Sequence, residues 1–509
     1  MTDSKVETQP ERVGARPGDK RVVRRIRRPL RLRRTLGVPS LFSTGYGNVG
    51  SSIYYALGVT TAFALGAAPL ALTLAGVFFV LTVLTYAEAT VAVPEAGGAS
   101  NFARRGFNEM VSFITGWGTL LSYTVTISIS AFSAAAYLSI FFPVLESNAA
   151  DVVFAIVAIL LLMALNVVGV NEAAIFSIVF AVIDLITEII LVIVGSIFLL
   201  NISTLIHQIH WGSAPTLQNF FFGTAFAMVA YTGIETISNM SEEAADPSRN
   251  VPRAYAILIF AVLVLFAGIS AVALSAMPVL QCHVADACPS GQHYTTLLAT
   301  KYETDPVAGI ARALPHPFKD ILLPMVAILA SSILLIAANA GVLGASRLSF
   351  SMGTYQQVPK VLNRVSRRFK TPVVAIVFFG AVAVLILLPG FVLRDEITAL
   401  TALYIFGSTL GFTMAHASLI GMRLHETPET RSGFRLGLNI PFRGKQIPIT
   451  AVIGGIGTLG VWILVALTNP FGRYLGLLWM IIGLSMYVVY RRKLDLSLTV
   501  SAERRFEMH

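Results

Sequence analysis

The chain has 509 residues, 55% of them hydrophobic and only 13% charged, with a mean hydropathy of +0.74 and a formal net charge of +10. Average soluble domains carry roughly twice that share of charge, so an ordinary water-soluble globular protein is excluded at the outset. Nor does the positive charge argue for nucleic acid, because a membrane topology accounts for where it lies.

Residues 1–35 form a polar, then strongly basic tail ending in RVVRRIRRPLRLRR (Arg21 to Arg34), suited to anionic headgroups beside a first membrane helix. The Met1 end is too hydrophilic for a cleaved signal peptide, which leaves the first helix as the insertion signal. Apolar runs then recur at about 38–62, 66–92, 110–142, 151–169, 173–200, 217–240, 254–279, 319–346, 371–390, 396–423, 447–468 and 472–491. Each is long enough to cross a hydrocarbon core of roughly 30 Å, and in lipid each must be a helix that satisfies its own backbone. The expected fold is an all-α polytopic membrane protein with twelve transmembrane helices. With the N-terminus in the cytoplasm, all but five of the 37 Lys and Arg lie inside, the exceptions being Lys301, Arg312, Lys319, Arg394 and Arg473. That imbalance is what the positive-inside rule demands, and it places both termini, including a short tail at 496–509, in the cytoplasm of a cell-membrane protein. The loop at about 280–318 is then external, where disulfides persist. Its CHVADAC stretch holds Cys282 and Cys288, for which a bridge and two free thiols both stay open.

Two of the segments are interrupted. The first contains Gly45, Gly47 and Gly50 in GYGNVGSSIYYALG, a literal G-x-G-x-x-G. Between a strand and a helix that spacing would cradle a dinucleotide phosphate. The residues before it, RRPLRLRRTLGVPSLFST, are basic, broken by prolines and hold no buried strand. The sixth, FAMVAYTGIETISNMSEEAADPSRNVP, is interrupted at Thr232-Gly233 and carries Glu235 within the membrane. Four complete segments separate the two breaks, so they occupy equivalent places in two five-helix units of opposite sense, 36–200 and 217–424, followed by two C-terminal helices at 447–491. Interrupted helices at matching positions of inverted repeats point to a transporter binding site. Glycines allow helices one and six to unwind, and exposed half-helix N-termini can hold an anionic group without a basic side chain. Gly58 and Gly66 are read instead as close-packing residues.

Four stretches carry a family likeness: GNVGSSIY (Gly47 to Tyr54); YAEATVAVPEAGGASNFARRGF; AYTGIETISNMSEEAADPSRNVPRA; and NAGVLGASRLSFSMG with the VPK and Thr371-Pro372 that follow. In this order the chain resembles the amino acid–polyamine–organocation superfamily of permeases across roughly residues 36–495. The resemblance implies a substrate site between helices one and six. An amino acid's carboxylate would meet backbone N–H groups around Gly50, Ser51 and Ser52. Its amino group would meet carbonyls near Asn48 and at Ala230, Tyr231 and Thr232, beside Gly233, and Tyr231 would be the aromatic gate. Asn339 on helix eight would support the site. Two departures stand out. Ser52 replaces a glycine common in the family, and Asp184 stands where proton-coupled members carry a lysine on helix five.

Intramembrane carboxylates cost roughly 2.5–3.5 kcal/mol each when ionised at the bilayer centre, which makes Glu235 and Asp184 candidates for coupling. Glu188, one turn beyond Asp184, is read as a protonated, hydrogen-bonded packing acid or as one lying nearer the outer end of the helix. Glu88 and Glu95 are read as anchors of a cytoplasmic turn, and His416 and Arg423 as satisfied polar groups near the inner surface. The first reading is a secondary active amino acid permease, proton-coupled or exchanging by alternating access. The alternative is a carrier of an organic cation, polyamine or inorganic cation. Sodium is a further coupling ion to weigh, with Ser346 the nearest helix-eight hydroxyl. The sequence has no metal-ligand cluster, cofactor motif or H-E-x-x-H or G-x-S-x-G signature to support a membrane enzyme, and its tails are too short for a signalling domain.

Overall fold

The computed structural model describes residues 34–169, 173–282, 293–392, 396–426 and 432–500. Most of the two expected tails lies outside these residues. The described chain is helical almost throughout. In order it forms α1 (Val38–Val49), α2 (Ile53–Ala64), α3 (Ala68–Ala92), α4 (Ala99–Gly106), α5 (Glu109–Leu138), α6 (Asn148–Val168), α7 (Ala173–Phe198), α8 (Ile202–His207) and α9 (Leu217–Ala227). There follow α10 (Glu235–Asn239), α11 (Pro247–Ala276), α12 (Pro306–Ala313), α13 (Phe318–Thr354), α14 (Val373–Leu387), α15 (Glu396–Leu424), α16 (Ile449–Thr468) and α17 (Pro470–Lys493). Two antiparallel strand pairs, Leu280–Gln281 with Tyr294–Thr295 and Asn439–Phe442 with Lys445–Pro448, close loops beside this helical body.

Local chemistry starts and stops these helices. Proline occupies the first turn of α1, α3, α11, α12 and α17, where its missing N–H costs nothing. The Asn108 side chain caps α5 by accepting from Met110 N and Val111 N, and Asn469 caps α17 by accepting from Gly472 N. Arg491, Arg492 and Lys493 in the last turn of α17 complement the negative end of its dipole.

Eleven helical stretches among the described residues are long and apolar enough to cross a membrane. Twelve were expected, and the difference lies at the start. Val38–Ala92 forms one 55-residue stretch of α-helix and 3-10 turns, interrupted at Leu65, which leaves helical geometry with φ 44° and ψ −129° at the start of the 3-10 turn Leu65–Ala67.

The body has a largely apolar core that also buries polar side chains, and an apolar rim. α5 is buried along most of its length, between α13 and α15. Trp117 of α5 and Trp479 of α17 stack at 4.6 Å, and each indole N–H donates to the other's carbonyl, at 2.8 and 2.9 Å. At the rim, Val153, Val157 and Leu161 of α6, Ile186, Ile193 and Ile197 of α7, and Ile456 of α16 are exposed. Such a surface has no place in water and suits lipid tails.

Candidate functional site

The sixth segment breaks where its sequence requires it. After α9 the chain tightens into a 3-10 turn, Met228–Tyr231, then Thr232 is extended (φ −85°, ψ 161°), Gly233 takes φ 101°, and α10 begins at Glu235. Glycine enters that positive-φ region without a Cβ penalty. A Cβ on Gly233 would also stand 2.8 Å from both Cγ and Nδ2 of Asn48. The two interrupted segments therefore touch. Asn48 Nδ2 donates to Thr236 Oγ1 at 2.8 Å and to the Gly233 carbonyl at 3.4 Å, while Asn48 Oδ1 is buried with no hydrogen-bond partner. Glu235 turns back on the break, and its Oε2 accepts from Gly233 N–H at 3.1 Å. The Thr232 hydroxyl donates to the Val229 carbonyl, and Tyr255 donates to the carbonyl of Ile234.

The first segment behaves differently, and the unwinding expected of helix one is not there. Gly50–Ser52 is a single 3-10 turn between α1 and α2, and Val49, Gly50, Ser52 and Ile53 all keep right-handed helical angles. The physical reason is that the backbone stays paired. Gly50 N–H bonds to Tyr46 O, Ile53 N–H bonds to Gly50 O, and the Ser51 hydroxyl donates to the Asn48 carbonyl at 2.9 Å. Glycine at position 50 makes room for a neighbour, since a Cβ there would lie 2.8 Å from the Tyr46 ring. The Tyr55 hydroxyl donates to Ser52 Oγ at 3.2 Å, which leaves the Ser52 proton able to donate elsewhere.

Two acids on α7 face this turn from behind. Tyr46 OH donates to Glu188 Oε2 at 2.5 Å, and Tyr54 OH donates to Asp184 Oδ1 at 2.6 Å. Tyr46 and Tyr54 stand eight residues apart on one helical face and Asp184 and Glu188 four apart on α7, so two tyrosines two turns apart reach two acids one turn apart. Both carboxylates are fully buried, and Asp184 Oδ2 and Glu188 Oε1 have no partner. Glu188 is thus hydrogen-bonded to Tyr46 inside the packed body.

Tyr231, the expected gate, has its ring between Phe79 of α3 and Phe266 of α11, and its hydroxyl donates to the Leu72 carbonyl at 2.9 Å. Ala230 is buried in the preceding turn. Tyr404 of α15 neighbours Thr232, Ser122 and Thr126. Asn339 bonds to Asn166 of α6 at 2.5 Å, so it braces two scaffold helices instead of the break. The Ser346 hydroxyl donates back to the Leu343 carbonyl. Glu88 is paired with Arg423 at 2.5 and 2.8 Å and accepts from Leu436 N–H, while His416 sits between Thr82 and Thr85. Cys282 stands at the edge of the described residues, and Cys288 lies outside them.

Sequence reasoning brought Asn48, Gly233, Glu235 and Asp184 forward and passed over Tyr46, Tyr54, Thr236 and Tyr404. The tyrosines had a legible signal, since they stand two helical turns apart on one face and so point the same way. Thr236 and Tyr404 had none, because their partners are distant in sequence.

The amino acid permease family model matches residues 42–496. Among similar proteins, the methylthioribose transporter of Bacillus subtilis is 26% identical, over 91% of this chain and 94% of that protein. The branched-chain amino acid permease BcaP of Bacillus subtilis is 23% identical over the same shares. The low-affinity putrescine importer PlaP of Escherichia coli K12 is 25% identical, over 89% of this chain and 92% of that protein.

Proposed function

The chain belongs to the amino acid permease family, as a membrane transporter of amino acids or related substrates and not an enzyme, and from that premise we propose that it is a proton-coupled amino acid symporter or exchanger of the cell membrane. The observation that carries this reading is the contact of Asn48 with the open backbone at Gly233, residues 185 positions apart. It joins the two interrupted segments at one buried point, as a site between inverted repeats requires.

The topology proposed with it has twelve crossings. A straight helix of 55 residues would run about 80 Å, more than twice the hydrocarbon thickness, so Val38–Ala92 is read as two passes that turn at Leu65–Ala67. The first ten crossings form the two inverted units and the last two follow them, with both termini inside. Labelling of single cysteines with an impermeant reagent tests this. Label at position 360 from outside intact cells alone would overturn it.

The substrate is placed beside Asn48, Ser51, Ser52, Thr232 and Gly233. Because Gly50 N–H is committed to Tyr46, the carboxylate is assigned to Gly233 N–H and the Ser52 hydroxyl, and the amino group to Asn48 Oδ1. Glu235 occupies Gly233 N–H in this conformation. Taking up a proton weakens its acceptance of that bond and frees the N–H for substrate, which links proton entry to binding. Tyr231 would gate only after leaving the Leu72 carbonyl.

A second reading is a carrier for an organic cation or polyamine. It is favoured by Asp184, Glu188 and Glu235, three buried acids that no ion pair among the described residues reaches. Uptake by proteoliposomes under imposed proton or sodium gradients separates the two. Accumulation of a neutral amino acid driven by a proton gradient supports the first, and accumulation of a diamine alone supports the second.

A further inference from the structure

Away from the break, a cavity of about 300 Å³ lies among the ends of α5, α6, α12 and α15. Its lining is unlike the rest of this basic chain. Five carboxylates face it, Glu146, Asp151, Glu303, Asp305 and Glu396, against two cations, Lys301 and Arg312. Glu396 is decisive. It is 5% exposed, lines the cavity, and its Oε1 is buried with no hydrogen-bond partner. A lone buried carboxylate oxygen is expensive unless something pairs with it. Gly390 makes room for that carboxylate, since a Cβ there would fall 1.4 Å from Glu396 Oε2. Asp305 is 6% exposed and only loosely paired, with Arg312 at 3.8 Å.

We propose that this cavity is a binding site for an alkylammonium group, a small organic amine held outside the central break. An ammonium has three N–H donors and no acceptor, which matches a wall of carboxylate oxygens. Phe132, Leu145 and Ile397 supply apolar wall for its carbon chain. A bare metal ion fits less well, because no three acids or histidines among the described residues converge as metal ligands. The cavity shares its side of the body with the loop at 301–305, so it is an outer anteroom if the proposed topology holds; the binding itself does not depend on that.

Burial pushes Asp305 up to about 7, with Arg312 opposing the shift. A cation prefers the ionised acid, so amine binding should strengthen as pH rises through about 7.

The test is calorimetry on the purified full chain in lipid nanodiscs, with 1,4-diaminobutane and butylamine as probes and 1-butanol as the neutral control. Both amines should bind, more tightly at pH 8 than at pH 6, and 1-butanol should not. Glu396→Gln should weaken binding about tenfold or more, and Asp305→Asn should weaken it and reduce the pH dependence without abolishing it, because Glu146, Asp151, Glu303 and Glu396 remain in the wall. Gly233→Leu, which blocks the central break, should leave amine binding intact. Glu303→Gln, at a less buried position, should also weaken binding and stands in if Glu396→Gln does not fold. Binding lost in Gly233→Leu but kept in Glu396→Gln would put the amine at the central break and overturn the proposal. Unchanged binding in all three acid variants, no binding to the wild type, or displacement by equimolar calcium would overturn it as well. If amino acid uptake is absent while these results hold, the permease reading fails and the anteroom stands.

Discussion

The two interruptions of the membrane helices share glycines, burial and a place in the chain, and they are built differently. At Gly233 the backbone leaves the helix, with an extended residue before it and φ at 101°. At Gly50 the helix only tightens, with the Gly50 and Ile53 N–H groups and the Asn48 carbonyl all paired. Gly233 is glycine because of its own conformation, whereas Gly50 is glycine because of the Tyr46 ring beside it. The lesson is that a glycine in a membrane helix marks a possible break only when its own dihedral demands it; otherwise it marks a close neighbour. On this account the sixth segment supplies the open backbone, and the first supplies side chains and an anchor to the α7 acids.

The largest effect should come from the acids nearest each interruption. Glu235→Gln should abolish proton-driven accumulation in proteoliposomes while leaving exchange partly active, because Gln keeps polarity but cannot change charge. Asp184→Asn is the parallel test on the first-segment side. Loss in Asp184→Asn with full retention in Glu235→Gln would move coupling to α7, and retention in both would end the proton-coupling proposal.

A middle-sized effect is expected where the segments are tied together. Asn48→Ala removes the bond to Thr236 and should weaken substrate binding about tenfold, corresponding to about 1.4 kcal/mol. Tyr46→Phe deprives the buried Glu188 of its donor and should cost about 1–3 kcal/mol of stability, read as a lowered Tm in detergent. Were Tyr46→Phe to hurt binding more than Asn48→Ala, the anchor and the site would have to exchange places.

The smallest change should follow Ser51→Ala. Its hydroxyl only reinforces a turn that the backbone already closes, so about 0.5–1.5 kcal/mol of stability should go, with little change in uptake. A large loss of uptake would mean that the Ser51 hydroxyl itself, and not only the turn it closes, holds the substrate.

The fold was legible in sequence because hydropathy and turn chemistry act locally: α3, α9 and α16 begin or end within a few residues of the expected limits. The break in segment six was legible for the same reason, since Thr-Gly interrupts an otherwise apolar run. The state of segment one was not, because it depends on where the Tyr46 ring lies, a contact fixed by α7. The role of Asn339 was misplaced similarly, its partner Asn166 being 173 positions away. The acid-lined cavity was invisible because several separate elements supply its wall.

The account rests on the difference between Gly233 and Gly50, and radiolabelled amino acid binding to the purified protein measures it directly when each is changed to Ala. At Gly233 a Cβ meets both a positive φ and the Asn48 side chain, costing about 1–3 kcal/mol. Gly233→Ala should therefore weaken binding about tenfold to a hundredfold. Gly50→Ala presses on the Tyr46 ring and its bond to Glu188, which should lower stability, while binding by the folded protein should stay within about threefold of wild type. Equal losses at the two positions, or a greater loss at Gly50, would contradict the claim that the sixth segment carries the open backbone of the site.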